Sequence, residues 1–178
     1  MRSETIARNY AEALFELGEK SGRTAHYADL MDAVAHGIAA APTVDAVLMS
    51  PRVTKAQKSA LLAGALAGSP REFVLFLQAV VKRGRQGLFG QIAREYQGLL
   101  DVKLNRVRAA VTVARPVDDT LRKVIAERLT RVVGKQVLPH FHEDPSLLGG
   151  MVVRVGDRVF DGSVRRRMTI LRRTLLAR

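Results

Sequence analysis

Near Asn105 the hydrophobic period of this chain switches from three or four residues to two, and that switch decides what the chain can fold into. Before it, apolar side chains recur at helical spacing. Ile6, Tyr10, Leu14 and Leu17, with Ala7, Ala11 and Ala13 beside them, predict an amphipathic helix from Ser3 to Lys20, stopped by Gly22. Tyr27, Leu30, Met31, Val34 and Ile38 predict a second from Thr24 to Ala40, interrupted by Pro42. A short helix from Thr43 to Met49 follows, then one that opens on a Thr54/Gln57 capping box and carries Leu61, Leu62 and Leu66. In the next, Ser69 reads as the cap, Pro70 as the first helical residue and Glu72 as the acid reaching back, with the helix running to Arg83. Leu88, Ile92, Tyr96, Leu99 and Leu104 define a sixth. Six short, closely connected helices within residues 1–105 imply a bundle.

After the switch, Val107, Ala109, Val111 and Val113 alternate with Arg108, Ala110, Thr112 and Ala114, the pattern of a half-buried strand ending before Pro116. Asp118 or Asp119 caps a helix that carries Leu121, Val124, Ile125, Leu129 and Val132 and stops at Gly134. Gln136 to His142 reads as another strand, which Pro139 restricts to a sheet edge or a bulge. Met151 to Val155 and Arg158 to Phe160 flank Gly156-Asp157, a two-residue hairpin signal. Ser163 then caps a closing helix with Val164, Met168, Leu171 and Leu175 at helical spacing. The expected fold class is therefore α + α/β: an all-α six-helix bundle over 1–105, then a small domain over 106–178 with a short sheet and helices.

Charge separates the same two regions. Residues 1–105 carry 13 basic and 10 acidic side chains, whereas 106–178 carry 16 and 7, so most of the net +12 lies in the second region. An arginine-rich closing helix, with Arg165, Arg166, Arg167, Arg172 and Arg173, supports a second reading as a basic nucleic-acid-binding adaptor. The absence of Trp and the scarcity of Phe and Tyr weigh against it, because base stacking needs aromatic platforms. No apolar run approaches the roughly 18–20 residues of a membrane span, so any membrane association is expected to be peripheral. No charged-then-apolar leader precedes Ser3, and with no Cys the chain has neither disulfides nor thiolate metal ligands.

Catalytic motifs are lacking. No Walker-type phosphate loop occurs, and Gly149, Gly150, Gly156 and Gly162 fall among strands, where a dinucleotide fingerprint needs a helix to start. Their expected duty is turn geometry. His140 and His142 share a strand face near Glu143 and Asp144, but two histidines beside a turn are a solvated edge more readily than a metal site. Asp157 and Asp161 fit turn and capping duty better than paired acid/base chemistry. No cofactor or metal is expected. Phe73 to Leu77 and Ala79 to Val81 are apolar around more than one face of their helix, which fits either a helix buried all round or a surplus groove for a partner's amphipathic helix.

Two stretches carry a family resemblance. Ile6-Ala7-Arg8-Asn9-Tyr10-Ala11-Glu12-Ala13-Leu14-Phe15 at one end, and Leu147 to Leu176 at the other, resemble the opening helix and C-terminal signature of the delta subunit of F-type ATP synthases, the family of the oligomycin sensitivity conferral protein. Within the second stretch the matching positions are Gly149, Gly150, Arg154, Gly156, Asp157, Asp161, Gly162, Ser163, Val164 and Arg165. The resemblance implies a non-catalytic stator subunit of a proton-driven ATP synthase, joining the catalytic head to the b-subunit stalk in a hetero-oligomer. It implies that a groove between the first and fifth helices holds the N-terminal helix of an α subunit, and Tyr10, Leu14, Leu17, Val74, Leu77 and Val81 are the residues expected there. The second domain is expected to contact the C-terminal part of the b stalk, on the cytoplasmic face of a bacterial inner membrane.

Overall fold

Local capping chemistry sets several of the element boundaries in the computed structural model, which describes residues 2–176. Residue 1 of the expected first domain and residues 177 and 178 of the second lie outside the described residues. The helices α1 (Arg2–Lys20), α2 (Thr24–Ala40), α3 (Pro42–Met49), α4 (Lys55–Ala65), α5 (Arg71–Lys82) and α6 (Phe89–Lys103) come first. Thr54 and Gln57 form the expected capping box at α4, satisfying two backbone donors reciprocally. Pro42 opens α3 at a position where its missing N–H costs nothing.

The start of α5 corrects the sequence reading. Pro70 has extended backbone and stands just outside the helix, and no side chain caps it. Glu72 does not reach back, because Tyr27, 45 residues away, donates its hydroxyl to Glu72 Oε2 at 2.9 Å. A tertiary hydrogen bond has outcompeted the local one.

The chain divides into two compact units between Leu100 and Asp101, within α6. The first has one core, built from Leu14, Tyr27, Met31, Phe73, Leu77, Val80, Val81, Ile92 and Tyr96 among others. Its two buried tyrosines are satisfied: Tyr96 donates to the Thr24 carbonyl at 2.9 Å, and Tyr27 to Glu72. Burial pushes both phenols above their ordinary value of 10.0. The unfolded chain ionises them near pH 10 while the folded chain keeps the protons, so stability is full below that pH and falls as pH rises through it. Urea titrations at pH 8.5 and 11 should show lower stability at the higher pH, the direction set by the raised phenol pKa values. A flat profile would mean that both titrate freely in the folded state.

In the second unit, Asn105 takes a left-handed φ of 49° and turns the chain from α6 into β1 (Arg106–Val113). Asp101, 8% exposed, accepts from Arg106 Nε at 2.6 Å and from Arg108 Nε at 2.7 Å. Asp118 caps α7 (Asp119–Val133) by accepting from the Leu121 N–H at 2.8 Å, and Gly134 ends it at a left-handed φ of 74°. The sheet continues with β2 (Gln136–Glu143), β3 (Met151–Val155) and β4 (Arg158–Asp161), in the order β2-β1-β3-β4. β1 and β2 are parallel and joined through α7, while β1–β3 and β3–β4 are antiparallel. Pro139 therefore lies on an edge strand, where a missing N–H can face solvent. Ala109, Val111 and Val113 point to one face and, with Val137, Val153 and Ile125 of α7, make a small core. The helix α8 (Val164–Leu176) closes the chain.

Candidate partner-binding site

Two adjacent rows of side chains run along α1, and the smaller residues form the buried one. Ala7, Ala11 and Leu14 have no exposed surface, so α1 approaches its neighbours closely. One residue earlier at each step, Ile6, Tyr10 and Ala13 lie on the next face and stay partly open. On α5, Phe73, Leu77, Val80 and Val81 are fully buried, whereas Ala79 opens outward. Between the two open rows lies a cleft of about 580 Å³ lined by Ile6, Asn9, Tyr10, Ala13, Phe76, Ala79, Arg83 and Arg85. Tyr10 and Phe76 meet edge to face across it, with centroids 6.2 Å apart at 75°. An apolar trough between two helices suits the apolar face of a third helix.

The six residues expected in this groove divide unevenly. Tyr10 lines it. Leu14, Leu77 and Val81 are at 0% exposure and offer a partner no surface. Leu17 packs against the core from its edge, and Val74 is half-buried but outside the lining. The expected row 74-77-81 is displaced by two residues from the observed row 76-79-83, about 160° around the axis of α5. The small residues Ala13 and Ala79, both in the groove lining, are the signal in the sequence, since small side chains on two apolar helices leave room for a guest. A second apolar cleft, of about 300 Å³, lies between α3 and α4 and includes Val44, Val47, Leu61 and Ala65. The adjacent leucines Leu61 and Leu62 hinted at it, since they cannot both face one core: Leu62 is buried and Leu61 is 53% exposed.

The C-terminal glycine and aspartate residues assemble into one clasp. Gly156 and Asp157 make the two-residue loop between β3 and β4, with Val155 paired to Arg158. Gly156 alone of the two has positive φ, the position that a type II′ turn gives to glycine. At the far end of the hairpin the Gly162 N–H donates to the Met151 carbonyl and the Val164 N–H to the Gly149 carbonyl, both at 3.0 Å. Asp161 accepts from the Ser163 N–H at 2.9 Å, and this bond holds its carboxyl below the usual carboxylate range. Ser163, 2% exposed, caps α8 by accepting from the Arg166 N–H. Gly149, Gly150, Asp161, Gly162 and Ser163 thus tie the start of α8 to the start of β3.

Beyond that tie α8 is uncovered. It has no buried residue, and its stripe of Val164, Met168, Leu171 and Leu175 is open to solvent, flanked by Arg165, Arg166, Arg167, Arg172 and Arg173. His140 and His142 are exposed on β2. Among the described residues no group of three or more His, Asp or Glu side chains is placed to hold a metal ion, and no helix is long and apolar enough to cross a membrane.

A helical unit with an open groove, followed in the chain by a mixed-sheet unit ending in an uncovered amphipathic helix, makes this an α+β protein with apolar surface left open on both units. The chain belongs to the ATP synthase delta (OSCP) subunit family, whose model matches residues 6–175. It is 47% identical over 176 residues to the ATP synthase subunit delta of Gemmatimonas aurantiaca, covering 98% of this chain and 95% of that one. It is 38% identical to the ATP synthase subunit delta of Anaeromyxobacter sp., covering 96% and 97%. A chain in the cryo-EM structure of the Toxoplasma gondii mitochondrial ATP synthase hexamer has the same fold, with a TM-score of 0.70 at 21% identity over 97% of this chain and 98% of that one. Membership of this family gives the nucleic-acid reading no support.

Proposed function

We propose that this chain is a non-catalytic stator connector of an F-type ATP synthase. Its six-helix N-terminal bundle grips the catalytic head, and its C-terminal domain grips the b stalk, peripheral to the cytoplasmic face of a bacterial membrane. The observation that carries the reading is the open α1/α5 groove in a chain of this family. In this assignment the groove receives the N-terminal helix of an α subunit through Ile6, Tyr10, Ala13, Phe76 and Ala79. Torque from the turning shaft would rotate an unheld head, so the contact must be tight; nanomolar attachment corresponds to about −12 kcal/mol. Calorimetric titration of the full chain with the N-terminal helix peptide of the same organism's α subunit tests it. Saturable one-to-one binding is the expected result, and no binding by folded protein would remove the groove assignment.

The open stripe of α8 supports the second contact. A row of apolar side chains flanked by arginines suits a stalk helix with an apolar stripe and acidic flanks. Leu171→Glu should weaken capture of the C-terminal segment of the b stalk by about 10–100-fold, since a charge facing an apolar contact costs roughly 1–3 kcal/mol. Leu171 is 60% exposed, so the fold should be unaffected; unchanged capture would place the stalk elsewhere on the second unit.

A further inference from the structure

Arginines stand at one end of the α1/α5 groove. Arg83 directly follows α5 and Arg85 lies in the next turn, and both line the cleft whose other walls are Ile6, Asn9, Tyr10, Ala13, Phe76 and Ala79. Both are exposed, and among the described residues neither forms an ion pair. No carboxylate lines the cleft. The groove is therefore polarised along its length, uncharged and largely apolar over the body and cationic at the C-terminal end of α5.

The body of the trough carries no charged side chain with which to distinguish the two directions of an amphipathic helix. Two unpaired cations at one end break that symmetry: a guest with acidic side chains at one end of its stripe is stabilised in one orientation and loses that contact in the other. We propose that the α1/α5 groove takes an amphipathic helix whose apolar stripe ends in acidic side chains, and that Arg83 and Arg85 fix the direction in which it lies. This inference rests on the reading of the groove as the α-subunit docking site. Rim charges act mainly on the association rate and on its salt dependence, and exposed pairs contribute modestly.

The test uses the full chain, its R83Q/R85Q and R83E/R85E variants, and the N-terminal helix peptide of the α subunit in its natural form and with its acidic residues changed to Lys. At 50 mM NaCl the neutral variant should bind the natural peptide about 3–10-fold more weakly than the unmodified chain, mainly through slower association, and at 500 mM the difference should close. R83E/R85E should prefer the Lys-containing peptide. A spin label at one end of the peptide should broaden the amide signals near Arg85 in the unmodified chain and lose that preference in R83Q/R85Q. Equal affinity and equal orientation in R83Q/R85Q, with the peptide still bound, would overturn the inference and leave the docking site intact. No binding by any folded variant would overturn the docking site and the inference together. Self-association of the chain that the peptide does not compete away, but that Ala79→Trp abolishes, would make a second copy the occupant and likewise overturn it.

Discussion

Ala79→Trp should weaken docking of the α-subunit helix by about 100-fold or more, a loss of roughly 2.7 kcal/mol, and leave the melting temperature of the chain unchanged. Ala79 is exposed on α5 and lines the groove, so the indole has open space to enter and disturbs no core contact. It occupies the volume that the guest helix needs, close to the Tyr10–Phe76 pair, and contacts near the middle of an interface carry most of its energy. Leu14→Asp and Leu77→Asp would be poor substitutes. Both side chains are at 0% exposure, so an uncompensated carboxylate there removes several kcal/mol of stability and abolishes binding by unfolding the helical unit. Thermal unfolding separates the cases: Ala79→Trp keeps its transition and Leu14→Asp loses it. Wild-type affinity in folded Ala79→Trp would show that the helix docks elsewhere.

Features decided by chemistry within a few residues were legible in the sequence. The Thr54/Gln57 box, the Asp118 and Ser163 caps, the Gly134 stop and the Gly156-Asp157 hairpin all depend on donors and acceptors two or three positions apart. Pro139 was legible for a related reason, since a missing N–H confines a strand to an edge regardless of its partners. Glu72 was misread because its best partner, Tyr27, lies 45 residues away, and no local rule ranks a tertiary phenol against a helix N-terminus. Of the residues expected to face a partner, Tyr10 lines the cleft between α1 and α5, whereas Leu14, Leu77 and Val81 are buried. Larger apolar residues were assigned to it, whereas the closest helix packing uses Ala7 and Ala11, which turns Leu14 inward and leaves Tyr10 at the rim. Helical periodicity reports that a stripe exists and not what covers it, so α8 reads the same whether its stripe is packed or, as here, open.

Gly150→Ala should be the most damaging small substitution in the second unit, and its cause is backbone geometry. Gly150 has φ of +77°, and a Cβ there would run into the Gly162 carbonyl oxygen, with the Gly162 carbonyl carbon and Ser163 Cα each 3.2 Å away. All three obstacles are main chain, held by the Gly162–Met151 and Val164–Gly149 hydrogen bonds, so they cannot swing aside as a side chain would. The left-handed conformation costs roughly 1–2 kcal/mol for alanine, and overpacking adds roughly 1–3 kcal/mol, giving about 2–5 kcal/mol in all. A unit of this length has on the order of 4–12 kcal/mol to lose. Gly134→Ala is the matched control, because φ is +74° there but a Cβ meets open space, so only the conformational cost of roughly 1–2 kcal/mol applies. Hydrogen exchange on the full chain distinguishes the two. In Gly150→Ala the amides of β1 and β3 should exchange some 30-fold to several-thousand-fold faster, the Boltzmann equivalent of that loss, while those of α2 and α5 keep their protection. Equal protection losses in the two variants would mean that the close approach of Gly150 to Gly162 relaxes freely. The clasp would then hold the start of α8 by its hydrogen bonds alone, and the paired glycines would serve only to turn the chain.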